Sequence, residues 1–89
     1  MANHKSALKR AKQSEDRRLR NRARKTRMKT AIRGLEEAIT AGTRDAMLEQ
    51  LKEAISVIAK TASKGVIHRN TASRKISRLT RRVNALAAQ

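Results

Sequence analysis

The stretch "LEQLKEAISVIAKTASKG", residues 48–65, carries the clearest folding signal in the chain. Apolar residues recur along one side of it at spacings of three and four: Leu48, Leu51, Ile55, Ile58 and Ala62. This is the period of one face of an α-helix. Thr43 precedes the stripe as a candidate N-cap, and Gly65 follows it as a stop. The stretch therefore predicts an amphipathic helix that buries one face.

Two further segments show the same period on either side of this helix. The upstream stripe comprises Met28, Ile32, Leu35 and Ile39. It does not continue upstream of Met28, because Leu19 lies about 180° away on the same helical wheel. The downstream stripe follows a candidate N-cap at Asn70 and comprises Ala72, Ile76, Leu79, Val83 and Leu86. We expect the central apolar residues of the last two helices to face one another: Leu51, Ile55, Ile58, Ile76, Leu79 and Val83.

The breaks between segments indicate an all-α fold. The chain has no Pro and only three Gly, and Gly42 and Gly65 lie where the apolar stripes stop. No period-2 alternation predicts a strand. With 89 residues the chain is at most one domain, so we predict a single three-helix bundle over residues 1–89.

The first predicted helix is much longer than the other two. From about residue 6 to residue 41 it would span roughly 54 Å, whereas helices of about 20 residues span roughly 30 Å. Its first half must therefore project. We predict a long, projecting basic first helix, with residues 1–27 as a basic arm and residues 28–86 as the bundle.

Charge is concentrated at the two ends of the chain. There are 23 Lys and Arg against 7 Asp and Glu, a formal net charge of +16. Residues 1–33 carry +11, residues 34–63 carry −2, and residues 64–89 carry +7. Self-repulsion of this size opposes a compact state unless a polyanion neutralises it, so the composition indicates a nucleic-acid partner.

The densest basic run is "RRLRNRARKTRMK", residues 17–29, with eight Lys or Arg in thirteen positions and no acid. Because no acidic residue lies within the run to pair with it, we expect phosphate contacts from Arg17, Arg18, Arg20, Arg22, Arg24, Lys25 and Arg27. On the third helix a second basic set lies about 200° from the apolar stripe: Arg74, Arg78 and Arg81.

The same composition excludes several classes of function. With no Cys and two His the chain offers no disulfide framework and no zinc finger, so no cofactor or metal is expected. Ser, His and Asp form no recognisable catalytic set, so we do not expect an enzyme. No apolar run approaches about 18 residues, and the N-terminal stretch lacks the apolar region of a secretory signal. A mitochondrial transit peptide is disfavoured because basic residues also crowd the far C-terminal region.

Several classes of nucleic-acid-binding protein can be weighed against one another. The chain has no Phe, Trp or Tyr, which disfavours readers that stack single-stranded bases on aromatic rings. A basic leucine zipper fits poorly, because the stripe after Met28 lasts less than two heptads. An architectural, nucleoid-type DNA-binding protein remains as the alternative to an RNA-binding one.

Two long stretches resemble a known family. "ANHKSALKRAKQSEDRRLRNRARKTRMKTAI" (2–32) and "GVIHRNTASRKISRLTRRVNAL" (65–86) are similar to the two conserved ends of the bacterial small-ribosomal-subunit protein S20 family. The resemblance implies a three-helix bundle with an extended first helix that binds small-subunit ribosomal RNA directly and supports its folding and assembly.

The resemblance also extends the set of candidate contacts and partners. It implies further RNA-binding positions at Lys5, Lys9, Arg10, Lys12, Asn21, His68, Arg69 and Asn70. The implied partners are small-subunit ribosomal RNA and the small ribosomal subunit in the cytoplasm. Neither a membrane nor a homo-oligomer is expected.

Overall fold

The computed structural model describes residues 2–88, with side chains from residue 5 onward. Over this range the chain forms three α-helices and no strand: α1 (Ala2–Ala41), α2 (Arg44–Ser63) and α3 (Arg69–Ala87). The prediction of an all-α bundle with a long first helix is confirmed. α1 begins several residues before the predicted start near residue 6. Met1 and Gln89, the ends of the predicted domain, lie outside the described residues.

The two predicted glycine breaks are confirmed. Gly42 and Gly65 have φ values of +75° and +76°, a left-handed conformation that L side chains rarely adopt. At the end of α2 the Gly65 N–H donates to the Ala62 carbonyl at 2.9 Å, and the Val66 N–H donates to the Thr61 carbonyl at 3.2 Å. These two bonds form a Schellman motif, which satisfies the last carbonyls of α2 and turns the chain towards α3.

The two predicted N-caps have different outcomes. Thr43 does lie at the N-cap of α2, but its side chain makes no capping hydrogen bond; its carbonyl accepts from the Met47 N–H at 3.0 Å. The prediction of Asn70 as N-cap of α3 is wrong. The cap is His68, whose Nδ1 accepts a hydrogen bond from the Asn70 backbone N–H at 3.0 Å. A ring nitrogen here takes the place of the usual Ser, Thr, Asp or Asn oxygen.

α2 lies between the other helices and packs extensively against both. Its buried residues are Met47, Leu51, Ala54, Val57, Ile58 and Thr61. Three residues of the predicted stripe, Leu48, Ile55 and Ala62, are only half-buried at its edge. The predicted stripe lies slightly to one side of the centre of the buried face. A single stripe corresponds to one packing partner, whereas α2 has partners on two sides and buries a broader arc.

The core consists of two adjoining clusters. Near the α1–α2 turn the buried members are Leu35, Ala38, Met47, Leu51, Ala54 and Val83. Near the point where α1 leaves the bundle they are Met28, Val57, Ile58 and Ala72. Leu79 packs against both clusters, and Ile55 and Ile76 each pack against one, so the predicted facing of α2 and α3 is confirmed. Leu86 is 37% exposed, so its predicted place in the core is wrong.

α1 extends well beyond this core. Its 40 residues span roughly 60 Å, whereas α2 and α3 span roughly 30 Å. Every side chain from Lys5 to Arg20 is exposed, and Met28 is the first buried residue among those whose side chains are described. We call residues 2–27 the arm. The arm gives the molecule its longest dimension of 68 Å.

Candidate nucleic-acid interface

The arm presents most of the predicted contact residues to solvent. Ten of its twelve candidates are exposed: Lys5, Lys9, Arg10, Lys12, Arg17, Arg18, Arg20, Arg22, Lys25 and Arg27. Asn21 and Arg24 are half-buried, because they lie on the face of α1 that points towards the bundle further along the helix. Successive residues are separated by 100° around a helix, so the ten exposed cations are spread over several faces of the arm.

The face on which α1 packs changes chemistry at residue 28. Upstream of Met28 the same face continues at spacings of four, three and four with Arg24, Asn21 and Arg17. Polar and charged side chains therefore occupy the positions that would otherwise extend the apolar stripe. Because these residues gain little from apolar burial, α2 approaches only the last of them, at Arg24, and the rest of the arm remains available to a ligand.

One arginine of the basic run is already paired. Arg18 donates to Glu15 through Nη2 at 2.7 Å and through Nε at 3.1 Å. The hydrogen bonds, and then the charge of Arg18, hold the pKa of Glu15 below its usual range. The expectation that the run has no acidic partner is thus wrong at Arg18. Over residues 5–88 this is the only ion pair, so the other cations of the arm carry uncompensated charge.

The predicted basic face of α3 is present as a band of exposed arginines. Arg74 and Arg81 lie roughly opposite Val83, and both are exposed, as is Arg78. Lys75 lies at the edge of this band and is half-buried. It borders a shallow depression with Arg78 and Leu79, and with Ile32 of α1. The sequence pattern did not indicate Lys75, because it lies outside the arc opposite the apolar stripe.

The start of α3 holds the remaining candidates, and all three are exposed: His68 at the N-cap, and Arg69 and Asn70 in the first turn. The cap fixes the chemistry of the His68 ring. Since Nδ1 accepts the Asn70 N–H, the neutral imidazole carries its proton on Nε2, which is left as a donor. His68 thus combines a structural role with a free donor, whereas the Asn70 side chain has no capping role.

Two lysines that sequence analysis did not select lie beside the arm. Lys60 and Lys64, at the end of α2, line a cleft with Arg24 and Arg27 of α1. Lys60 lies within residues 34–63, which have a net charge of −2 when counted together, and Lys64 lies outside both the apolar stripe and the basic set of α3. Only the pairing of α1 with the end of α2 reveals that these four cations are neighbours.

Other site types find no support in the described part of the chain. Residues 2–88 contain no cluster of His, Cys, Asp or Glu able to hold a metal ion. None of the described helices has a stretch apolar and long enough to cross a bilayer. A small helical bundle with an unpacked polybasic arm and a second basic face defines a class of proteins that bind nucleic acid mainly through its phosphates.

Comparison with known proteins shows the family to which the chain belongs. The family model described as Ribosomal protein S20 matches residues 2–84. The small ribosomal subunit protein bS20 of Syntrophobacter fumaroxidans is 71% identical over 97% of this chain and 100% of its own length. The protein of the same name from Desulfotalea psychrophila is 62% identical over 99% of each chain. The chain belongs to the ribosomal protein S20 family, so the resemblance seen in its sequence is confirmed.

Membership of this family also bears on the kind of function. The family consists of structural ribosomal proteins and not of enzymes. The relation favours the ribosomal interpretation of the basic surface over an architectural DNA-binding one. A structural role agrees with a molecule in which helix faces and cations, rather than an enclosed pocket, are the main surface features.

Proposed function

We propose that this chain is a component of the small ribosomal subunit in the cytoplasm, where it binds small-subunit ribosomal RNA directly and supports its folding and assembly. The observation that carries the proposal is the arm, a helix that extends beyond the core and presents exposed cations on several faces. Phosphates along it would cancel the like-charge repulsion, and released counterions would contribute the entropy of binding. The names of the relatives support the choice of RNA.

The arrangement of cations supports a bridging role. Arg20 and Arg22 point to widely separated sides of the arm, so one helix can contact phosphates of two RNA segments at once. The arginines of α3 add a third direction. The proposed RNA contacts are the eighteen candidate residues, and we propose that the protein binds as a monomer. Arg18 should contribute less than the other arginines, because Glu15 competes for its guanidinium.

Salt dependence of binding tests the proposal. Arg20→Gln with Arg22→Gln removes two exposed charges and keeps good helix formers, so the bundle should fold normally. We expect weaker binding to small-subunit ribosomal RNA and a slope of log K against log salt that is smaller in magnitude by about 1 to 2 units. The matched control is Arg44→Gln with Lys52→Gln, two exposed cations of α2, which should leave the slope nearly unchanged.

Two results would contradict the proposal. Equal slopes for the two double variants would mean that the arm is solvated surface. Equal displacement of the wild-type protein from ribosomal RNA by random duplex DNA at about 0.2 M salt would instead favour an architectural DNA-binding role.

A further inference from the structure

The cleft between α1 and α2 differs from the rest of the basic surface in its construction. Its floor is formed by Val57 and Thr61, which are 7% and 4% exposed. Four cations surround this floor, namely Arg24, Arg27, Lys60 and Lys64, and no acidic residue lines it. Elsewhere on the arm the cations project from a single helix. In the α1–α2 cleft they converge from two.

The cleft lies where polar side chains follow buried apolar ones on the facing sides of both helices. Beyond Met28 the next residue of α1 on the same face is Arg24, and beyond Ile58 the next turn of α2 presents Thr61. The Thr61 hydroxyl donates to the Val57 carbonyl at 2.7 Å, so its hydrogen is used within α2 and its oxygen can still accept. A short polar side chain therefore faces a long cationic one, which leaves a recess with a positive rim.

We propose that the α1–α2 cleft is a phosphate-binding subsite for the RNA backbone that fixes the arm relative to the bundle. This inference rests on the proposed function and assigns Lys60 and Lys64 to it. Four like charges around one recess repel one another, and a phosphodiester placed between them replaces that repulsion with attraction. Arg24 and Arg27 belong to α1, and the two lysines belong to α2. A phosphate bound by both pairs of side chains therefore links the last turn of the arm to the end of α2.

A structural role for the lysines is the competing explanation. Lys60 lies in the last turn of α2 and Lys64 is its C-cap, where positive charge stabilises the helix dipole. Arg24 is half-buried, so its aliphatic stem also covers apolar surface. The exposed lysines are for this reason the better probes, since loss of their charge alters packing little.

Amine labelling of the lysines in the intact protein gives a direct test. With small-subunit ribosomal RNA as the probe, Lys60 and Lys64 should be protected several-fold from acetylation, whereas exposed Lys52 on the same helix should react as it does in the free protein. Equal reactivity of all three lysines in the complex would overturn the inference.

Substitution provides the second measurement. Lys60→Gln with Lys64→Gln should reduce the salt slope for binding small-subunit ribosomal RNA by about 1 to 2 units. The matched pair Arg44→Gln with Lys52→Gln should not, and melting followed by circular dichroism should differ little between the two pairs. An unchanged slope for Lys60 and Lys64, beside a reduced slope for Arg20 and Arg22, would overturn the subsite alone. Absence of an effect from Arg20 and Arg22 would instead overturn the proposed function.

Discussion

Arg24 and Met28 lie one turn apart on the same face of α1, and they separate two regions with different sources of stability. Met28 is 5% exposed and packs with Val57, Ile58 and Ala72, so burial of apolar surface holds its part of the helix in place. Upstream the backbone is still helical, yet every side chain from Lys5 to Arg20 is exposed. The arm depends on helix propensity and on few local bonds, such as the Glu15–Arg18 pair.

Secondary structure alone therefore does not distinguish a helix segment held in place by packing from one that lies outside the core. Most helical stability in proteins comes from packing of an apolar face. In the bundle the packing partner is α2, whereas the side chains of the arm are exposed from Lys5 to Arg20 and the arm reaches α2 at Arg24 and Arg27. Substitutions on the two sides of Met28 should therefore affect different measurements.

The largest contrast is expected from removing one apolar side chain in each region. Ile58 is fully buried, so Ile58→Ala should lower the free energy of unfolding by about 2 to 5 kcal/mol. Leu19 is 50% exposed, so Leu19→Ala should change the free energy of unfolding by less than about 0.5 kcal/mol. Denaturant unfolding measures both. Similar losses for the two variants would mean that the arm is part of the folded core.

A smaller contrast is expected from backbone substitutions. Gly65→Ala places an L side chain at φ +76°, so the bundle should lose about 1 to 2 kcal/mol although the site has open space for the methyl group. Ala23→Gly lowers the helix propensity of the arm by about 1 kcal/mol. Thermal unfolding should detect only Gly65→Ala. A lower melting temperature for Ala23→Gly would show that the arm and the bundle unfold as one unit.

The smallest effect concerns the ion pair of the arm. Because Arg18 lowers the pKa of Glu15, the contribution of this pair is complete above the ordinary carboxyl pKa and is lost as pH falls through the lowered value. Arg18→Gln should return the pKa of Glu15, followed by NMR, towards its ordinary range while the stability of the bundle is unchanged. An identical Glu15 titration in both proteins would exclude the pair in solution.

Much of this architecture follows from local sequence patterns. The helices end at Gly42 and Gly65 because glycine readily adopts the positive φ that terminates a helix. This preference depends on the residue itself and can be predicted from the local sequence. The apolar stripe of α1 ends at Met28 because the residues that continue the same face are polar, and periodicity reveals this directly. The excess of Lys and Arg indicates a polyanionic partner whatever the fold.

Other features depend on the packing of one helix against another. Which residues of α2 lie at the centre of the core depends on its having two partners, so Met47 and Ala54 are buried while Leu48 is only half-buried. The N-cap of α3 depends on the path of the preceding turn, which brings the His68 ring rather than the Asn70 side chain to the helix end.

The α1–α2 cleft is the clearest case of this second kind. Arg27 and Lys60 are 33 positions apart in a chain whose middle third is nearly neutral, so no local pattern relates them. Local patterns were enough to predict three helices, a basic arm and an excess of positive charge suited to a polyanion. Which cations lie around one cleft depends on how the helices pack, because that packing sets the distance between side chains on different helices.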